Sequence, residues 1–184
     1  MFCDYHTHTI FSDDSEYPME ECVKDAISLG IKEICFTDHV DYGVKYDLKD
    51  LNPEEVEGKV LNVDFEKYFS ELDRVRDLYK DDISIKNGLE FGIQKHTILK
   101  YEELFKKYPF DFIIMSVHEI DDKELWNYSF QDAKTEEEYY RLYFENLYYL
   151  VQNYHNYSVL GLSLIHIWRC RRSHKCRSRW SPYH

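Results

Sequence analysis

No apolar run in these 184 residues approaches the roughly 18 consecutive positions that a membrane-spanning helix needs. No basic segment followed by an apolar one comes after Met1, so no secretory signal is visible. A cytoplasmic location with no membrane partner is the expectation. Cysteine is sparse. Cys3, Cys22 and Cys35 lie in the first 161 residues, and Cys170 and Cys176 follow. Without a secretory context these read as reduced thiols, mostly buried, rather than a disulfide framework. Basic residues are scarce too: residues 1–161 hold 17 Lys and Arg against 35 Asp and Glu, a net charge of −18. That deficit argues against a nucleic-acid partner, which needs cationic side chains to neutralise phosphates. It does not repel metal cations.

What is present suits one domain. Hydrophobic residues make up 43% of the chain, with 17 Tyr and 11 Phe, enough for a sizeable core. FCDY (2–5) reads as a short strand. PMEECVKDAISLG (18–30) reads as a helix, with Cys22, Val23, Ala26 and Ile27 at helical spacing and Gly30 as its stop. EICFTDH (33–39) is a second strand. Residues 40–63 form a polar segment too long for a mere connector, hence a lid or a loop with function. A helix over 64–80 has Asp64 as N-cap and an apolar stripe of Phe65, Phe69, Leu72, Val75 and Leu78/Tyr79. ISIKNGLEFG (83–92) is a strand, YEELFKKY (101–108) a short helix, and FDFIIMSVH (110–118) a strand apolar enough to be buried on both faces. A long helix spans 135–155, with Thr135 and Glu138 spaced as a capping box, and YSVLG (157–161) begins another strand. Alternating strands and helices predict a parallel α/β fold, open or closed into a barrel. No internal repeat is visible in the body.

After Gly161 the pattern changes. LSLIHIWRCRRSHKCRSRWSPYH has six basic and no acidic residues and loses the β/α rhythm. A zinc site through Cys170, His174 and Cys176 lacks a second ligand pair. A basic nucleic-acid arm is ill matched by Trp168, Trp180 and the apolar LSLIHI. LSLIHIWRCRR resembles translated sequencing-library adapter. The expected organisation is a partial catalytic domain over 1–161 and a non-native basic tail over 162–184.

The chemistry-bearing residues gather at predicted strand ends. The first strand delivers His6, His8, Asp13 and Asp14; the second, Thr37, Asp38 and His39; the third, Glu90; the fourth, His118 and Glu119. Taken singly, each is an ordinary polar residue: a hydrogen-bonded histidine, a turn aspartate, a helix cap. Their convergence is informative, because the C-terminal ends of parallel strands share one face, where sites are built. Four of the six histidines in the body sit there. His96 and His155 read as peripheral, His155 suiting a helix C-terminus. In an extended segment residues i and i+2 face the same side, so His6 and His8 can grip one cation. Imidazole plus carboxylate suits Zn, Fe or Mn, and a carboxylate such as Glu90 can bridge two ions. Such ions activate water and clamp an oxyanion.

The ordered set HxH (His6, His8), S-x-D (Ser12, Asp14), TDH (37–39), G-x-E-x-G (Gly88, Glu90, Gly92) and SVH (116–118) resembles the polymerase and histidinol phosphatase (PHP) superfamily. DYHTHTIFSDD, GLEFG and SVHEID look most like its histidinol-phosphatase branch. The resemblance covers residues 1–161. It implies a distorted TIM-like (β/α)7 barrel, here incomplete at about five β/α units, with three divalent ions (Zn, Fe or Mn) at the strand C-termini. His6, His8 and Glu90 match ligands of the first ion, Glu90 and His118 of the second, and Asp14 and His39 of the third. Glu90, His118 and His39 are the residues expected to carry the reaction. That reaction is hydrolysis of L-histidinol phosphate to L-histidinol and phosphate, a step of histidine biosynthesis. The chain departs from the branch at Leu162, where a further histidine ligand belongs, and lacks a later D-x-H and phosphate-binding arginines. The alternatives are another PHP hydrolase, a protein-tyrosine phosphatase or an exonuclease, or an inactive fragment. The oligomeric state is left open.

Overall fold

Strand order along the main sheet follows chain order. In the computed structural model, which describes residues 2–161, five parallel strands lie side by side: β1 (Phe2–Thr7), β2 (Ile31–Phe36), β4 (Ser84–Gly92), β5 (Phe112–Ser116) and β8 (Val159–Leu160). The two-residue β3 (His39–Val40) pairs with the far end of β4, and β6 (Glu119–Ile120) forms a small antiparallel ladder with β7 (Lys123–Glu124). Right-handed crossovers that always step the same way leave the helices on one face and curl the sheet. The result is a half-barrel of five parallel strands rather than a doubly wound sheet, which would reverse direction at a switch point. The strands at its two margins, β1 and β8, are its least covered, with Phe2 and Val159 exposed.

Four helices fill the crossovers: α1 (Met19–Ser28), α2 (Phe65–Leu78), α3 (Ile98–Lys107) and α4 (Glu136–Asn153). Their limits follow local chemistry. Gly30, at φ 77°, ends the first by turning left-handed, which glycine does without strain. Asp64 caps α2 by accepting from Lys67 N at 3.2 Å. Thr135 and Glu138 form a complete capping box at the start of α4. α3 starts earlier than the sequence pattern suggested, at Ile98.

The core is aromatic. α2, α3 and α4 each bury a tyrosine completely: Tyr68, Tyr101 and Tyr143. The first two act as pins. Tyr68 Oη lies 2.8 Å from Gly88 O, midway along β4, and 3.2 Å from Phe36 O, at the end of β2, so its proton serves two adjacent strands. Tyr101 Oη sits 2.7 Å from Val40 O and 2.8 Å from Gly92 O, and accepts from Tyr42 N at 3.1 Å. Buried carbonyls of neighbouring strands gain a hydrogen-bond partner this way.

Three expectations need correction. The α2 stripe uses Tyr68 in place of Leu78, which is exposed; helical phase, not apolarity, decides which position faces the sheet. Of the three described cysteines only Cys35 is buried, because Cys3 lies on the margin strand. The strand read as 110–118 runs from Phe112 to Ser116, and His118 lies in the two-residue break before β6. The 162–184 tail, with Cys170, His174 and Cys176, lies outside the described residues.

Candidate metal centre

All six expected ligands meet at the C-terminal edge of the sheet. Register explains much of this. β3 pairs with β4 so that His39 lies beside Glu90. β4 pairs with β5 so that Gly92 faces Ser116, and His118 follows two residues on. His6 and His8 project from the end of β1, two residues apart, with ring centroids 4.9 Å from each other. His8 and His39 are 4.4 Å apart by the same measure, and His39 and His118 4.8 Å.

Glu90 is the hub, buried between two groups of imidazoles. Its Oε2 lies 2.9 Å from His6 Nε2, 3.2 Å from His8 Nε2 and 3.7 Å from His39 Nδ1. Its Oε1 lies 3.0 Å from His118 Nε2 and accepts from Ser116 Oγ at 2.6 Å. Asp14 Oδ2 lies 2.9 Å from His8 Nδ1 and 3.5 Å from His39 Nε2. Three ligand sets therefore overlap, each with its donor atoms within 4.8 Å: His6, His8, Glu90; His8, Asp14, His39; and His39, Glu90, His118. A fourth set, Asp41, His118 and Glu119, adjoins them.

The donors fit a cation. His8 Nε2 and His39 Nδ1 are buried with no hydrogen-bond partner, although both lie near Glu90 Oε2. Buried ring nitrogens are normally satisfied. Here the unsatisfied pair points into a nest of carboxylate oxygens, the chemistry of a divalent ion site. Protonation states tell the same story. Burial pushes the His8 imidazole down, but the Asp14 and Glu90 carboxylates beside it outweigh that and raise it to about 9. Burial likewise opposes ionisation of Asp14 and Glu90, yet the imidazoles of His39 and His8 beside the first, and of His118, His6 and His8 beside the second, hold both far below the usual carboxylate range. His118 is raised well above its ordinary value despite burial, chiefly by the charge of Asp41. Without a metal, protons on imidazole supply the positive charge the carboxylates demand.

Asp41 is the residue that motif reasoning missed. It is buried, and its Oδ1 lies 2.7 Å from His118 Nδ1, so a proton held there leaves His118 Nε2 to face Glu90. Lys45 Nζ lies 2.7 Å from Asp41 Oδ2 and also pairs with Asp13. Asp41 N donates to Asn62 Oδ1 at 2.8 Å, and Asn62 Nδ2 to Asp47 Oδ1 at 2.9 Å. The 40–63 segment is thus a tethered loop that delivers Asp41 and Lys45 to the site. Two signals pointed here. Asp41 stands two residues beyond His39, and a Cβ on Gly92 would collide with Asp41 Oδ1 and His118 Nδ1. The second glycine of G-x-E-x-G makes room for that pair. Asp38, by contrast, faces away from the cluster. Its Oδ1 accepts from Thr9 N at 2.7 Å, tying down the segment that carries His8. His96 pairs with Asp122 outside the cluster, and His155 is exposed.

The family model of the PHP domain matches residues 4–177. The chain belongs to the PHP domain family. Among curated PHP relatives, it is 37% identical over 159 residues to the histidinol-phosphatase of Lactococcus lactis subsp. lactis (strain IL1403), a match covering 86% of this chain and 55% of that protein. It is 27% identical over 150 residues to a protein of Clostridium acetobutylicum named "Probable histidinol-phosphatase", covering 80% and 51%. The chain thus spans about half the length of the curated relatives it matches. Among solved structures, the histidinol phosphate phosphatase of L. lactis, complexed with zinc, L-histidinol and phosphate, superposes with a TM-score of 0.76 at 36% identity, covering 88% of this chain and 57% of that one. This chain is therefore a PHP half-barrel with a His, Glu and Asp cluster able to hold metal.

Proposed function

We propose that this PHP domain contributes the metal centre of a phosphomonoesterase that hydrolyses L-histidinol phosphate. One observation carries the reading: Glu90 offers its two oxygens to two separate groups of imidazoles, the arrangement for bridging two cations. Likeness to a relative solved with zinc, L-histidinol and phosphate supports the substrate. His6, His8 and Glu90 would hold one cation, Glu90 and His118 a second, and Asp14 and His39 a third, and zinc is the proposed metal. When bound, the cations supply the charge that activates water and neutralises phosphate oxygens during displacement.

The chain's own residues do the rest. Glu90, His118 and His39 stand at the centre, where the ligand sets overlap, and carry the reaction in this reading. Ser116 fixes the Glu90 carboxylate through Oε1, and Asp41 fixes the His118 ring through Nδ1. The imidazoles must shed protons to ligate, so loading is coupled to proton release. The reading also keeps residues 162–184 outside the catalytic unit, which adapter-free sequencing of the source gene tests directly.

The functional test is phosphate release from histidinol phosphate, a phosphotyrosine peptide and single-stranded DNA, with zinc content measured alongside. Release from the first, dependent on added zinc, is expected. Preference for either of the others overturns the substrate assignment and leaves the metal centre standing.

A further inference from the structure

Two segments that meet at the cluster meet a second time outside it. Within the cluster, Asp41 of the 40–63 loop bonds to His118, which leads into the β6–β7 hairpin. Outside it, Gln94 bridges the same loop and hairpin. Gln94 lies two residues beyond β4 and is 3% exposed. Its Nε2 donates to Tyr42 O at 3.2 Å and to Asp122 Oδ1 at 3.0 Å, and its Oε1 accepts from Asp122 N at 2.8 Å. These partners fix the amide orientation, with two acceptors facing the nitrogen and one donor facing the oxygen. Gln94 is itself anchored: its N donates to Thr97 Oγ1 at 3.0 Å, and its O accepts from that hydroxyl at 3.1 Å. The junction is close-fitting. A Cβ on Gly43, which sits at φ 111°, would collide with both Asp122 Oδ1 and Gln94 Nε2. The hairpin turn also needs support. Asp121 and Asp122 stand at φ 53° and 57°, a left-handed pair that a Cβ disfavours and that asparagine and glycine usually supply. Gln94 holds that turn by the backbone and the side chain of Asp122 together.

We propose that Gln94 is a positioning residue for His118: its amide clamps the 40–63 loop to the β6–β7 hairpin and so keeps Asp41 seated against the His118 ring. Tyr42 follows Asp41 directly, and Asp122 stands a short way beyond His118 in the chain. A clamp between the outer pair therefore sets the spacing of the inner one. Among the described residues, the hydrogen bonds of Gln94 run to Tyr42, Thr97 and Asp122, and none runs to a candidate ligand. Its influence on the centre passes through Asp41. Each segment keeps anchors of its own, Tyr42 N on Tyr101 Oη and Leu125 N on His118 O. Loss of the amide thus loosens the gap without releasing either segment. A ring that loses its supporting carboxylate loses the tautomer and orientation that a cation needs. The inference rests on the reading of His118 as a ligand of the proposed metal centre.

Two measurements on the 184-residue chain test this, with Gln94→Ala beside the parent. The first is NMR of metal-free protein carrying isotope-labelled histidine, which sees the Nδ1 proton that His118 shares with Asp41. Gln94→Ala should broaden that line or abolish it; an unchanged line, or none in the parent, overturns the proposal. The second is chelator competition for zinc. Gln94→Ala should lower affinity about ten-fold, the low end for a supporting residue. In an Asp41→Ala background the same change should cost little more, because the contact it protects is already gone. Full additivity would mark an independent, purely structural effect and overturn the proposal. Should Gln94→Ala fail to fold, Asp122→Gly decides. Glycine suits the left-handed turn and removes the oxygen that Gln94 holds, so zinc affinity should fall about three-fold, and unchanged affinity there counts against the clamp. The two readings separate cleanly. Zinc uptake indifferent to Gln94 rejects the clamp alone. A Gln94-dependent His118 proton in a parent that takes up no zinc rejects the metal centre alone.

Discussion

The two oxygens of Glu90 look out on differently built halves of one cluster. On the Oε2 side, His6 is 58% exposed, with its Nε2 against Glu90 and its ring beside that of His8, while His8 is held by Asp14, itself half open to solvent. On the Oε1 side, His118 is backed by Asp41, Asp41 by Lys45 and Asn62, and Glu90 itself by Ser116. The first half presents ligands to solvent. The second encloses them in a hydrogen-bonded frame. Supporting partners hold a ligand in the orientation and tautomer a cation needs, so the enclosed half should grip metal tightly and the open half should exchange it.

The strongest way to break this contrast is Glu90→Gln, which strikes both halves. Zinc affinity should fall beyond the roughly 10–100-fold that loss of a supporting residue costs, with phosphate release falling in step. A chelator-competition titration reads the first, and a variant that still holds its zinc would refute the hub role. Asp41→Asn tests the enclosed half alone, with an expected loss of about 10–100-fold in zinc affinity. Gly92→Ala reaches the same Asp41–His118 pair by steric force and should act in the same direction. Wild-type affinity in both would mean the frame does not strengthen that half.

Acidity probes the open half. In metal-free protein the His8 imidazole is raised to about 9, above its unfolded value of about 6.5. Its stabilisation is therefore complete below about pH 6.5 and disappears as pH rises through 9. Thermal melts of metal-free protein should show falling midpoints across that window, and His8→Gln should flatten the trend. Zinc-loaded protein should lack it, because ligation requires neutral imidazole. A flat parent profile without metal would contradict the ion pairing. Tyr68→Phe, remote from both halves, gives the smallest effect: about 0.5–1.5 kcal/mol of stability, measured by denaturant unfolding, with zinc affinity unchanged.

Much of this was legible beforehand, and the reasons differ by residue. His6, His8, His39, Glu90 and His118 announced themselves because each follows an apolar run at a strand end, and parallel strands share one face. The capping box at Thr135 and the cap at Asp64 were readable because capping is local. Asp41 and Lys45 were not. They lie in a polar loop, and their placement depends on tethers from Asn62 that no periodicity records. Tyr68 escaped because tyrosine patterns with polar and apolar residues alike; its helical phase turns it to the sheet and Leu78 to solvent. Asp38 shares its strand end with His39 in TDH, yet its side chain turns back to Thr9.

Chain-ordered strands also set a timetable. Each new β/α unit docks beside the one made just before it, so contacts form mostly between near neighbours, and the sheet can grow as the chain leaves the ribosome. The donors do not arrive together: His6 and His8 emerge first, Glu90 much later, and His118 later still. The set of His8, Asp14 and His39 is complete early, whereas the sets that include Glu90 and His118 close only after β4 and β5 are made. A series of ribosome-bound chains of increasing length should reach full zinc-dependent protease resistance only after residue 118 clears the exit tunnel, and full protection before that would reverse this order of events.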